Sequence, residues 1–164
     1  MNLVDHLIKL INNGAIIVPI LSWLIAQILK MLIDLGMNKT FKLSRLVGDG
    51  GMPSGHSATV MSLATVIALD PSYGVGSVEF GIAMIFAVIV MHDALGVRRE
   101  TGKQARMILS IVDVVSDYAT ETDTKIKDEK LKVLVGHTPL QVVCGALLGA
   151  VIAVVYTLIV NHVI

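Results

Sequence analysis

Cysteine is nearly absent from this chain: Cys144 stands alone, inside an apolar run. An intrachain disulfide and a thiolate metal cluster are therefore excluded, and the residue reads as small packing material. Charge is scarce too, at 16% of 164 residues, and aromatics make up only 4%, whereas 54% of the residues are hydrophobic. That balance is far too aliphatic for an ordinary soluble domain of this length and points to a membrane protein. The formal net charge is zero, so the overall charge selects no partner, and no nucleic acid is expected. The opening MNLVDHLIKLINNGAIIVPI has no cationic region before its apolar core and no clear small-residue cleavage site, which argues against a removed signal peptide.

What the chain has in quantity is apolar length. Crossing the hydrocarbon takes about 20 largely apolar residues in a helix, and four segments qualify or nearly so: 15–36, 55–70, 78–95 and 138–160. The second and third are short or polar at their ends, which suits tilted or buried helices. Residues 2–11 place Leu3, Val4, Leu7, Ile8 and Ile11 on one helical face, the pattern of a helix lying along the membrane surface. Residues 103–120 have helical apolar spacing with several charges, so an interfacial helix is expected there, followed by the charged segment ETDTKIKDEKLK. The expected fold is an all-α integral membrane protein, a single membrane-embedded domain over 1–164. It has about four transmembrane helices, an N-terminal amphipathic helix, and a cytoplasmic interfacial helix within a polar loop at 97–136.

Cations set the expected orientation, because Lys and Arg favour the cytoplasmic side. Of the 13 in the chain, 11 fall in the connections between the first and second spans and between the third and fourth, and the opposite connection, PSYGVGSVE, has none. The N-terminus is thus expected outside and both large polar loops in the cytoplasm, in a bacterial-type cytoplasmic membrane.

Three junctions between loop and span carry chemistry. At Gly50–His56 the glycines permit close backbone approach and Pro53 fixes the chain. Ser54 can cap a helix whose first amides, Gly55 among them, face any anion. His56, one turn in, can donate a proton to a leaving oxygen; the bland alternative is a mere helix start with a hydrated histidine. The second junction, Val135-Gly136-His137-Thr138-Pro139, again precedes a long span. Two histidines at two helix mouths on one face can divide phosphoryl transfer, one attacking phosphorus and the other protonating the leaving group. The third, at 92–104, sets Arg98 and Arg99 beside the end of a span, where guanidinium groups either neutralise phosphoryl oxygens or merely anchor the loop. Asp93, near the membrane boundary, either orients a histidine or holds Arg98. In the first span Gln27 and Lys30 share a helical face, and the Lys30 ammonium either snorkels to the headgroups or reaches the phosphate.

PSGH at 53–56 and GHTP at 136–139 resemble two signature motifs of the phosphatidic acid phosphatase type 2 superfamily, which includes vanadium haloperoxidases. AQILK at 26–30, GGMPSGHSA at 50–58, HDALGVRRETGKQA at 92–105 and GHTPLQVVCGALLG at 136–149 are similar, more closely, to its divergent membrane-embedded branch. The resemblance implies a cofactor-free, metal-independent phosphatase in which His137 is the nucleophile, His56 the general acid, and Ser54 and the Gly55 amide hold phosphate oxygens. The superfamily's arginine six residues before the nucleophile and aspartate four after it are here Leu131 and Gln141. Arg98 or Arg99 would supply the missing cation, and Gln141 or Asp93 would orient the imidazole. The superfamily's first motif is absent, with Lys30, Lys42 and Arg45 as substitutes. Gly145 and Gly149 form a small-residue face suited to close helix packing or to a homodimer.

The leading expectation is a phosphatase acting on a lipid phosphate or isoprenoid diphosphate at the cytoplasmic leaflet. The alternative, motivated by Leu131 and Gln141, is a non-catalytic protein that binds phosphate headgroups, as a lipid carrier or assembly factor. A metal site built from Asp93, His92 and His56 is disfavoured, because two of the three are adjacent and cannot easily converge with the third.

Overall fold

The computed structural model of the chain describes residues 2–38, 51–118 and 137–163, with side chains for all of these except 38, 97–99, 113–118 and 161–163. The described residues are helical throughout, with short connections: α1 (Leu3–Ile11), α2 (Gly14–Asn38), α3 (Gly55–Leu69), α4 (Val78–Leu95), α5 (Val97–Tyr118) and α6 (Pro139–Val163). All of α1 is exposed, its apolar face uncovered by protein, as a helix resting on a lipid surface requires.

Among the described residues three helices are long and apolar enough to cross a membrane: Gly14–Met37, the run Val78–Val112 that begins in α4, and Pro139–Val160. The expected second span differs from these. α3 has 15 residues, about 22 Å at 1.5 Å per residue, short of a hydrocarbon core of roughly 30 Å. The bundle tolerates this because α3 is its centre, packed against α2, α4 and α6. Its buried positions are small, namely Gly55, Ser57, Ala58, Val60, Ser62, Ala64 and Val66, and small side chains let neighbouring backbones approach. Hydroxyls in such a place need partners. Thr59, Ser62 and Thr65 donate to the carbonyls of Gly55 (2.8 Å), Thr59 (2.9 Å) and Met61 (2.7 Å), so each is satisfied within its own helix.

Contact between α3 and α6 is the closest in the bundle. A β-carbon on Gly145 would stand 2.3 Å from the Ser54 carbonyl oxygen, and one on Gly149 would stand 2.1 Å from that of Ala58. The two pairs advance together along both chains, so α3 and α6 run parallel with their N-termini at one end. The Gly145–Gly149 face is therefore used inside the chain, and a homodimer would need another surface. α2 runs the opposite way. Gly14 at its start lies beside Val66 and Tyr156, and Lys30 near its end lies beside Gly51 and Gly55. α4 is likewise antiparallel, for the Ala94 carbonyl at its end accepts from the His137 amide at 3.2 Å. At the far end Val18, Val66 and Ala153 form a small apolar core. Alternating directions thus bring the ends of α2 and α4 and the starts of α3 and α6 to one place.

Candidate functional site

The α3 junction is built around a turn. Gly51 has φ +101° and the Met52–Pro53 peptide is cis. Ser54 is fully buried and caps α3, its Oγ accepting from the Ser57 amide at 3.3 Å and from the Ser57 hydroxyl at 3.0 Å. Both lone pairs are then in use, so what Ser54 has left for a phosphate is its own hydroxyl hydrogen. The Ser54 amide donates to the Gln141 carbonyl at 2.9 Å, which ties this junction to the next.

The α6 junction is a reciprocal cap. Thr138 precedes Pro139 at the first helical position; its amide donates to Gln141 Oε1 at 2.9 Å, and the Gln141 amide donates to Thr138 Oγ1 at 3.4 Å. This is a capping box with proline at the first turn. The same Oε1 lies 3.3 Å from His137 Nδ1. A carbonyl oxygen can only accept, so it favours the tautomer with hydrogen on Nδ1 and a lone pair on Nε2. The Gln141 side chain thus touches the His137 ring directly. Asp93 lies half-buried in the last turn of α4, one residue before the carbonyl that holds the His137 amide.

The two histidines meet. His137 is 2% exposed and His56 is half-buried, with ring centroids 6.0 Å apart and planes at 61°. Two imidazoles this close can act on one phosphoryl group, one as nucleophile and the other as acid.

Lys30 lies beside the turn that starts α3. At 7% exposure it does not reach outward. Its stem passes 3.7 Å from where a Gly51 side chain would begin, and its Nζ 3.7 Å from where a Gly55 side chain would begin. The ammonium and the start of α3 therefore present positive potential to one spot, a setting for an anion. Gln27, 5% exposed, shares this face of α2. Trp23, 3.3 Å from where a Gly55 side chain would begin, was not singled out by sequence reasoning. Nor was the Thr138-x-x-Gln141 capping pattern, although S/T-x-x-E/Q was its available signal. Arg98 and Arg99 begin α5, but their side chains, like all of Leu131, Lys42 and Arg45, lie outside the described residues.

The family model described as "Divergent PAP2 family" matches residues 11–152. The chain is 36% identical over 153 residues to an uncharacterized membrane protein, YuiD, of Bacillus subtilis strain 168, covering 90% of this chain and 96% of that one. No solved structure matches it.

Proposed function

The chain belongs to the divergent PAP2 family, and from that premise we propose that this integral membrane protein hydrolyses a lipid phosphate or isoprenoid (di)phosphate through a phosphohistidine on His137. The observation that carries the reading is the pairing of His137 with His56 at 6.0 Å, beside a buried lysine and the start of α3. In this mechanism His137 Nε2, unprotonated in the tautomer that the Nδ1 contact with Gln141 favours, attacks phosphorus. His56 protonates the leaving oxygen and then takes a proton from the water that cleaves the phosphohistidine. Lys30, the Gly55 amide and the Ser54 hydroxyl hydrogen stabilise charge on the phosphoryl oxygens, with Arg98 or Arg99 in place of the missing arginine. Asp93 supports the His137 junction from α4. The cation-rich stretches follow the ends of α2 and α4 in the sequence, and those ends are at the site, so the reading puts the site on the cytoplasmic side.

The test is phosphate release from a panel of lipid phosphates in detergent with EDTA present, for wild type, His137→Ala and His56→Ala. Release by wild type that both variants lose is expected. Folded wild type that binds lipid phosphates and releases none would favour the headgroup-binding alternative, for which the neutral Gln141 in the aspartate's place is the motivating observation.

A further inference from the structure

An apolar cleft of about 540 Å³ runs between α2, α3 and α4. Pro19 and Trp23 line it from α2, His56 and Thr59 from α3, and Phe86 and Val90 from α4. His56 belongs to both the cleft and the histidine pair, so the cleft is continuous with the candidate site. Trp23 spans the same boundary, since it also packs against Gly55. Thr59 gives its hydroxyl hydrogen to the Gly55 carbonyl, and among the described residues no lysine or arginine lines the cleft. An apolar cavity of about 150 Å³ holds one benzene, about 25 Å³ per carbon, which gives this cleft room for roughly twenty carbons, one lipid chain and not two.

Resting on the phosphatase reading above, we infer that the substrate is a lipid monophosphate whose hydrocarbon chain lies in this cleft with its ester oxygen against His56, and that lipid diphosphates are disfavoured. In a monoester the chain begins one oxygen away from phosphorus. A chain seated in the cleft then puts the bridging oxygen at His56 and the phosphorus between the two rings. In a diphosphate a second phosphate separates the reacting phosphorus from the chain. That phosphate must either enter the cleft, where the described lining offers no cation and an unpaired charge is costly, or push the chain out of it. For the monoester the step balances. The His137 nitrogen bonds to phosphorus as the phosphorus–oxygen bond to the chain breaks, and the electron pair leaves on that oxygen. His56 gives it a proton, yielding a lipid alcohol. Water then gives a proton to His56 and attacks the phosphohistidine, releasing inorganic phosphate and restoring both rings.

Trp23 is the only tryptophan in the chain, so its fluorescence reports on the cleft without reference to turnover. The protein in unbrominated detergent micelles is titrated with a single-chain alkyl monophosphate brominated along its chain, the brominated alcohol of equal length serving as control. Saturable quenching by the monophosphate is expected, with unbrominated monophosphate competing at least about tenfold better than the matching diphosphate, since an unsatisfied buried charge costs that much or more. Val90→Phe, which fills the cleft, is expected to weaken quenching at least about tenfold, and Ile20→Phe serves the same purpose should the first variant misfold. Equal or better competition by the diphosphate, or quenching that matches the alcohol's and survives the filled cleft, would overturn the inference. Selective monophosphate binding with no phosphate release would refute catalysis and leave the binding pose standing. Hydrolysis of diphosphates as fast as monophosphates would do the reverse.

Discussion

Gly145→Ala is the substitution whose effect can be worked furthest. The added methyl would stand 2.3 Å from the Ser54 carbonyl oxygen and 3.0 Å from Ser54 Cβ, whereas ordinary contact begins at 3.4 Å. Both neighbours sit on the capped turn that starts α3, so relief requires α3 and α6 to part by about 1 Å. Overpacking of this kind costs about 1–3 kcal/mol, and replacing a helical glycine by alanine returns about 1 kcal/mol. The protein is therefore expected to fold, with a net loss of about 0–2 kcal/mol. Function suffers more than stability. The parting carries Ser54 off the Gln141 carbonyl and His56 away from His137, and a displacement of about 1 Å in a reacting pair is worth about 100-fold in rate. The assay is phosphate release from the best lipid substrate, alongside thermal unfolding followed by circular dichroism in the same detergent. Gly81→Ala is the control, since no atom lies within 4 Å of the added carbon; unchanged turnover and an equal or higher Tm are expected. Wild-type turnover in Gly145→Ala would refute the reasoning that this contact sets the distance between the two histidines.

Lys30→Met is expected to lower kcat/KM by about 100- to 1000-fold, the usual loss for one charge-stabilising donor. Lys30→Arg should rescue little, because the Gly51–Gly55 turn is shaped around a slender stem. Gln141→Leu should lose the α6 cap, about 0.5–2 kcal/mol of stability, together with the hold on His137, whereas Gln141→Glu keeps both contacts and should match or exceed wild-type turnover; a fully active Gln141→Leu would remove Gln141 from the account. The rate should be bell-shaped in pH, falling in acid as the nucleophile His137 gains a proton and in alkali as the acid His56 loses one. His56→Gln should abolish the alkaline fall while lowering the rate about 100- to 10000-fold, and an unaltered alkaline limb would assign that proton to another group.

Much of this was legible in the sequence because membrane helices write themselves as apolar length. α4 occupies the expected 78–95, and α2 and α6 lie within two or three residues of their expected bounds at all four ends. The N-terminal helix α1 follows from its five aligned apolar residues. α5 was harder to place, since it starts at Val97, directly after Gly96, in a stretch whose charges resemble a loop. The role of α3 was not written in hydropathy. Its interior position shows only in small residues whose partners lie some ninety residues away on α6. The histidines could be paired by motif, and their common end could be argued from alternating helix directions. The contact of Gln141 with His137 depends on a rotamer fixed by a capping box, and the path of Lys30 depends on two glycines across from it on another element. Such contacts belong to the three-dimensional arrangement and leave only indirect traces along the chain.

The central claim is a covalent bond between His137 and phosphorus. The direct measurement is rapid mixing of the folded protein with a lipid phosphate carrying a radioactive phosphoryl group, in EDTA, followed by a denaturing quench and peptide mapping. The account predicts label on the peptide containing His137, formed and lost at rates that support turnover, and absent from His137→Ala. Phosphate release without label on that peptide, or neither label nor release from any lipid phosphate, would contradict it.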